Sequence, residues 1–514
     1  MKGQVSRRDF LKVAGAFSGG AVVPRLIAAP GLKRPGLTPP ANVLIVVFDA
    51  FSACNVGLHG YGRATTPNLE KLAQRAIVYH NHYAGANWTV PGTGTLLTGL
   101  LPWTHRAFNV NQPVADEVSD ANLFHQFKGY HRIAYSHNPL VYTFLHQFRK
   151  DIDRIIPNQE LFLTTDGLVQ TLFRNDDDVS TMSWMRAAKK ELNGGYSYSL
   201  FLSDFYGRRS AGIRDAYREA FPRGLPSIRE DNYYVLEQGI DSLRDHLVQS
   251  PQPFLAYFHF MPPHEPYLSP REFLNSFRDD GFVPPDKPTD ADFSMGARVT
   301  PGFLGRMRRQ YDEFILYVDR EFARLHRMLE EAGVLDDTWI VLTSDHGELF
   351  ERGIWKHSTA ALYQPVIRVP LMIFEPGRTE RLDIRVATSN TDVLPTLLSV
   401  TGQQPATNRE GTVLPPFWEQ ESTAPRSIYA ISATDNSPKA PLTKASTMIV
   451  RGRYKLTFYF GQFKLGAQSM RIELYDIESD PDELHDLYAS EPRIAAELLD
   501  ELKARLAEAD RPYL

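Results

Sequence analysis

Thr89 is a hydroxyl residue two positions ahead of Pro91, and small residues follow it into the apolar run Leu96-Leu97. Four polar clusters lie far from it in sequence: Asp49, His259 with His264, Asp345-His346, and Lys356-His357. Two carboxylates, an imidazole and the threonine oxygen make a four-point site for a divalent metal. A carboxylate-rich set suits hard ions, and the imidazole tilts the choice towards zinc or manganese, with calcium or magnesium as the other candidates. Such an ion would lower the pKa of the Thr89 hydroxyl and make it a nucleophile. His264, His259 and His357 could hold a second ion, or grip the substrate and protonate a leaving oxygen. Lys356 offers a positive charge to an anionic oxygen. The metal, Lys356 and backbone amides together would stabilise charge developing on phosphorus or sulfur.

The elements that must place these residues can be read from periodicity. Asn42 to Phe48, Phe254 to His259, Trp339 to Ser344 and Leu371 to Phe374 are continuous apolar runs. Such runs mark strands buried on both faces, the habit of parallel sheets. Asp49, His259 and Asp345 fall at or just past strand ends, where open α/β sheets place their ligands. Apolar residues at Phe314, Val318, Phe322, Leu325 and Leu329 have helical spacing over Gln310 to Ala332, with Gly333 as the stop. Asp231 to Val248 also has an amphipathic helical pattern. Thr66 reads as an N-cap ahead of Pro67, and a helix is expected from Thr93, its amides facing the site. The alternation predicts an α/β fold: a mainly parallel sheet sandwiched by helices.

From about Ser427 the pattern changes to hairpin strands around Arg451-Gly452-Arg453, a strand at Ile472 to Asp476 and a closing helix from Pro492. This predicts a smaller C-terminal α+β module over 426–514, attached to a catalytic body over 42–425. Residues 151–230 read as an insertion over the site. Asp176-Asp177-Asp178 within it could bind a cation but reads first as a solvated loop.

Composition excludes several classes. A formal charge of −5 argues against a nucleic-acid partner. One cysteine, Cys54, leaves no intrachain disulfide and no cysteine-based zinc cluster. Ser6-Arg7-Arg8-Asp9-Phe10-Leu11-Lys12, a Gly-rich apolar stretch and Ala28-Ala29 form a twin-arginine export pattern over 1–29, with a Pro/Gly-rich linker over 30–41. A periplasmic or secreted protein is expected. No other run is long enough to predict a transmembrane helix.

The motifs together resemble the sulfatase family of the alkaline phosphatase superfamily. The likeness runs over Asn42 to Asp49, Thr66-Pro67-Asn68, Leu96 to Pro102, His264-Glu265-Pro266-Tyr267, Thr343 to Glu348, Arg368 to Leu371, Asp392 to Leu397 and Glu473 to Asp476 with Asp480-Pro481. It implies a metal site and hydrolysis of esters of phosphorus or sulfur. By that resemblance Asp49, Thr89, Asp345 and His346 are metal and nucleophile positions, and His264, Lys356 and His357 are substrate-binding or second-metal positions. Two departures stand out. Classical members carry Cys or Ser at the nucleophile position, converted to formylglycine, and an Arg four residues on; here those positions are Thr89 and Thr93. Ala50 replaces the family's second acid. Thr89 resembles the relatives that move phosphate groups, including phosphoethanolamine and phosphoglycerol transferases and phosphodiesterases. The expectation is a metal-dependent hydrolase or transferase of phosphate esters, taking a phosphorylated or sulfated lipid, glycan or small molecule. The alternatives are a sulfatase without formylglycine and an inactive homologue that binds a glycan or headgroup.

Overall fold

β1 (Asn42–Phe48) is buried at all seven positions. Its alternate residues enter two different cores. Leu44, Val46 and Phe48 belong to one, and Val43, Ile45 and Val47 to the other. Period-2 side-chain alternation forces this split, and each face must then be covered by helices. The structure is a computed structural model that describes residues 41–163, 208–228, 232–357, 359–404, 410–418, 425–462, 465 and 470–514. The export pattern, the Asp176-Asp177-Asp178 run and most of the expected insertion lie outside the described residues.

The remaining strands of the main sheet are β2 (Ile77–Tyr79), β3 (His131–Ser136), β4 (Arg154–Ile155), β5 (Phe254–Phe260), β6 (Thr338–Thr343), β7 (Leu371–Phe374) and β8 (Leu382–Ile384). Their order is β8-β2-β7-β6-β1-β5-β3-β4. All neighbours are parallel except β7, which runs antiparallel to both β2 and β6. The expected mainly parallel sheet is therefore present, with one reversed strand inside it.

Seven helices matter for the site: α1 (Pro67–Leu72), α2 (Thr89–Thr98), α3 (Pro139–Gln147), α4 (Leu236–Gln249), α5 (Pro301–Glu331), α6 (Val393–Val400) and α7 (Pro492–Asp510). α4 and α5 cover one face of the sheet. α2, α3 and α6 cover the other. Three starts differ from expectation. α4 begins at Leu236, after the extended Val235, not at Asp231. α5 begins at Pro301, because the Thr300 hydroxyl accepts from Phe303 N and caps a Pro-led first turn. α2 begins at Thr89, not Thr93, so the candidate nucleophile is itself the first helical residue. The Thr66 side chain does not cap α1; it accepts from Gly57 N. Asp319 of α5 accepts from Asn68 N and Leu69 N instead, a cap supplied from 250 residues away.

The C-terminal module is an antiparallel meander of β9 (Ser427–Ser432), β10 (Ala445–Arg451), β11 (Tyr454–Phe460) and β12 (Met470–Asp476). One face, through Ile449, Leu456 and Leu474, packs on Leu498 and Leu502 of α7 and on Leu101 and Trp103, which follow α2. The other, through Met448, Val450 and Tyr459, packs on Leu349, Ile354, Leu362 and Ile367. The module thus braces α2 on one side and the segment carrying Lys356 and His357 on the other. Among the described residues, no helix is long and apolar enough to cross a membrane.

Candidate metal and nucleophile centre

Four adjacent parallel strands, β6, β1, β5 and β3, deliver the site from their carboxyl ends. Asp345 and His346 follow β6, Asp49 follows β1, His259 is the penultimate residue of β5, and Asn138 follows β3. Asp49, His259, Asp345 and His346 have no solvent exposure. Asp49 Oδ2 lies 3.2 Å from His259 Nε2, and Asp49 Oδ1 lies 3.4 Å from His346 Nε2. Asp345 Oδ2 is 3.6 Å from His346 Nε2 and 3.8 Å from His259 Nε2. Thr89 Oγ1 sits 3.4 Å from His346 Nε2.

The donor set fits a divalent cation. Asp49 Oδ1 and Asp345 Oδ2 are buried and have no hydrogen-bond partner. Buried carboxylate oxygens are rarely left so, and a metal ion satisfies them. Asp345 Oδ1, by contrast, accepts from His346 N at 3.0 Å, which turns Oδ2 towards the site. His346 Nδ1 donates to Gly347 O at 2.9 Å, so in the neutral ring the Nε2 lone pair faces the site. His259 Nδ1 is held 3.0 Å from the Tyr257 hydroxyl, so its Nε2 also faces inward. Outer partners of this kind fix the ring and tautomer of a metal-binding histidine. Asp49, His259 and Asp345 have ligand atoms all within 4.8 Å of one another.

Electrostatics support the same reading. Burial pulls His346 down, but Asp345 and Asp49 outweigh it and raise it to about 9. Burial and the Asp49 charge push Asp345 up. Burial also opposes ionisation of Asp49, yet the surrounding His264, His259 and His346 hold it well below the usual carboxylate range. Two buried carboxylates this close are relieved either by a proton on Asp345 or by a cation between them.

The structure sorts the expected residues into two groups. His259, grouped by sequence with the substrate-binding residues, stands with the carboxylates, walled in at the sheet. His264, Lys356 and His357 form the outer group. Ring centroids of His346 and His357 are 4.3 Å apart, and those of His357 and His264 are 4.9 Å apart. This line of imidazoles leads from the buried centre to the partly open His264. His357 Nδ1 is anchored 2.9 Å from Glu348, whose other oxygen accepts from the Tyr267 hydroxyl at 2.9 Å. Burial, then the nearby His346 and His264, keep His357 below its ordinary value despite Glu348. Lys356 is not a bare charge: its Nζ pairs with Glu265. A two-residue turn at Arg352-Gly353, with φ of 57° and 72°, reverses the chain just ahead of it.

Asn138 is the residue that the sequence reading missed. Its Oδ1 accepts from Leu140 N at 2.9 Å as the N-cap of α3. Its Nδ2 therefore faces the site, 2.6 Å from Asp49 Oδ2 and 3.5 Å from Thr89 Oγ1. The available signal was Ser136-His137-Asn138-Pro139, a polar strand end with a cap residue and Pro at the first helical position. The departures from the family pattern also have a place. Ala50 is buried with φ of 60°, and its amide lies 3.4 Å from Asp345 Oδ1. Thr93 is fully buried in the second turn of α2.

The sulfatase family model matches residues 41–403, and a C-terminal model described as N-sulphoglucosamine sulphohydrolase matches 353–511. The chain belongs to the sulfatase family. As a member of it, the chain is 26% identical over 483 residues to a choline-sulfatase of Rhizobium meliloti (strain 1021), covering 89% of this chain and 84% of that one. It is 23% identical over 525 residues to a multifunctional alkaline phosphatase superfamily protein of Trinickia caryophylli, covering 91% and 96%. Among solved structures, this sulfatase-family fold is similar to phosphonate monoester hydrolase of Agrobacterium radiobacter, with a TM-score of 0.64, 20% identity and coverage of 91% and 96%.

Proposed function

We propose that this sulfatase-family hydrolase is an exported, metal-dependent enzyme that cleaves phosphate or phosphonate esters through Thr89. One observation carries the reading. The Thr89 hydroxyl is the first helical residue of α2 and lies within 3.5 Å of both His346 Nε2 and Asn138 Nδ2, on the rim of the carboxylate–imidazole cluster. A divalent ion held by Asp49, His259, Asp345 and His346 would supply Lewis-acid activation of the attacking hydroxyl and of an ester oxygen.

The chain's own groups account for the rest. Thr89 Oγ1 gives its proton to water and bonds to phosphorus as the bond from phosphorus to the leaving oxygen breaks. His264, at the open end of the imidazole line, gives that oxygen its proton. Lys356 and the free amides of the first turn of α2 offset negative charge on the transferred group. Water then attacks phosphorus and passes a proton to His264, the bond from phosphorus to Thr89 Oγ1 breaks, and that oxygen takes back a proton from water.

Threonine favours phosphorus over the family's formylglycine route, because its methyl-bearing β-carbon cannot become an aldehyde. Sulfate esters are the second reading, supported by relatives such as the choline-sulfatase. Thr89→Ala should abolish turnover of aryl phosphate mono- and diesters and phosphonates while Thr89→Ser keeps part of it. Wild-type turnover by the alanine variant would remove the nucleophile. Faster turnover of aryl sulfate than of every phosphorus ester would favour the second reading. The Arg7-Arg8 pattern supports export, and loss of export in an Arg7→Lys/Arg8→Lys variant would test it.

A further inference from the structure

Glu265 follows His264 directly in Pro262-Pro263-His264-Glu265-Pro266 and takes no part in the reaction steps above. Pro263 and Pro266 restrict the backbone on either side of the pair. His264 N donates to Met261 O at 2.9 Å, His264 Nδ1 donates to Glu265 O at 2.8 Å, and Leu268 N donates to Pro266 O at 2.9 Å. The Glu265 carboxylate is thus mounted on a loop with little freedom, and it pairs with Nζ of Lys356.

Lys356 is held as firmly. Its backbone N donates to Leu349 O at 3.0 Å, and its Nζ lies 4.1 Å from the centre of the Trp355 ring. The Lys356 and Glu265 side chains are 23% and 28% exposed. Water and salt screen a partly buried pair much less than one on an open surface. The neighbouring acid, Glu348, is taken up by His357 and by the Tyr267 hydroxyl, at 2.9 Å each. The counter-charge of Lys356 is therefore Glu265.

Little positive charge is then left over for the substrate. α2 carries no charged side chain from Thr89 to Thr98. Of the side chains placed in the centre and the outer group, Lys356 is the one lysine or arginine, and Glu265 cancels it. An ester with a single negative charge, such as a phosphodiester or a phosphonate monoester, can rest on the α2 amides and the loaded centre. An ester with two, such as a phosphate monoester, brings its second charge to a lysine already matched and sets it beside the Glu265 carboxylate. Like charges so placed cost affinity.

We infer that Glu265 is a specificity-determining residue: by neutralising Lys356 it selects singly charged esters over doubly charged ones. The inference rests on the reading that Lys356 faces the transferred group, and not on Thr89 being the nucleophile. It is tested on the full, metal-loaded chain by calorimetric titration with benzenesulfonate and phenylphosphonate, which share a shape but carry one and two charges at about pH 8.5. Wild type should bind benzenesulfonate at least as tightly as phenylphosphonate. Glu265→Gln keeps the length of the side chain and removes its charge, so it should shift the ratio of the two affinities about tenfold towards phenylphosphonate. The ratio of turnover of 4-nitrophenyl phosphate to that of methyl 4-nitrophenyl phosphate should move the same way. Lys356→Gln leaves Glu265 unmatched and should shift both ratios in the opposite direction. Both side chains are partly exposed, so the fold should survive, and an unchanged melting temperature checks this. A residue that only tethers Lys356 would, when replaced, weaken both ligands alike. An unchanged ratio in Glu265→Gln would therefore overturn the inference, as would a wild type that prefers phenylphosphonate or binds neither ligand. Ester turnover retained in Thr89→Ala would sink only the nucleophile and leave the shift in ratio standing.

Discussion

Asn138 donates its amide to Asp49 Oδ2 at 2.6 Å. Its orientation is fixed at the far end, where Oδ1 caps α3. Asp49 is thereby left with one oxygen facing the site, and Asn138 also faces Thr89 at 3.5 Å. Removing such an outer partner typically lowers metal affinity or activity about 10- to 100-fold. Asn138→Ala should fall in that range in calorimetric zinc or manganese titrations and in ester turnover. Asn138→Asp should do worse, since a second carboxylate would stand against Asp49. Wild-type affinity in the aspartate variant would show that this contact does not shape the centre.

The sequence was informative where chemistry and periodicity coincide. β1, β5 and β6 are apolar at nearly every position, so both their type and the importance of their carboxyl ends could be read directly. Asp49, Asp345 and His346 followed from that rule. Asn138 did not, because β3 begins with His131 and Arg132 and lacks a continuous apolar run. The role of His259 was blurred by its nearness to His264; only the strand geometry shows one ring turned into the sheet and the other outward. The reversed β7 was hidden for a different reason. A four-residue apolar strand carries no mark of its direction, which is decided by the connection that precedes it. The cap on α1 came from Asp319, and no local pattern around Thr66 could show it.

Divalent metal should stabilise the fold itself. With Asp49 and Asp345 fully buried and Oδ1 and Oδ2 respectively unpartnered, a bound cation relieves carboxylate repulsion that unfolding would otherwise relieve. Binding to the folded state alone adds about 2.7 kcal/mol at a free metal concentration one hundred times Kd. Thermal melts should therefore rise with zinc or manganese and fall with chelator, and Asp345→Asn should blunt the response. A melting temperature that ignores both metal and chelator would contradict the centre, whatever the catalytic result.

Gly92 sets how closely α2 approaches the centre. A Cβ at this position would lie 2.4 Å from Asp345 O, a backbone atom with little freedom to move. Gly92→Ala must push the helix, and Thr89 with it, away from His346. Overpacking of this kind costs about 1–3 kcal/mol, and a shift of the nucleophile should lower kcat more than it raises KM. Gly302→Ala is the control, since nothing lies within 4 Å of its Cβ and it sits in the first turn of α5. Equal effects from the two substitutions would mean that the close approach at Gly92 has no catalytic consequence.

The buried histidines away from the centre make the fold sensitive to acid. Burial lowers His105 to about 3 and His82 to about 4. His105 lies beneath α2, 3.2 Å from Pro91 O, and His82 is held between Thr388 and Asn390 at 2.9 Å on each side. Both stay neutral in the folded chain well below the ordinary histidine value of about 6.5. The unfolded chain takes up those protons first. The stability they contribute is therefore present above about pH 6.5 and is lost as pH falls towards 4, by about 1.4 kcal/mol per pH unit for each ring. Urea-unfolding free energies at pH 7, 6 and 5 should show the decline. His82→Gln keeps a neutral hydrogen-bonding side chain and removes one titrating group, so it should flatten the slope by about that amount even where its stability at pH 7 is lower. A variant whose slope matches wild type would show that His82 takes up no extra proton on unfolding.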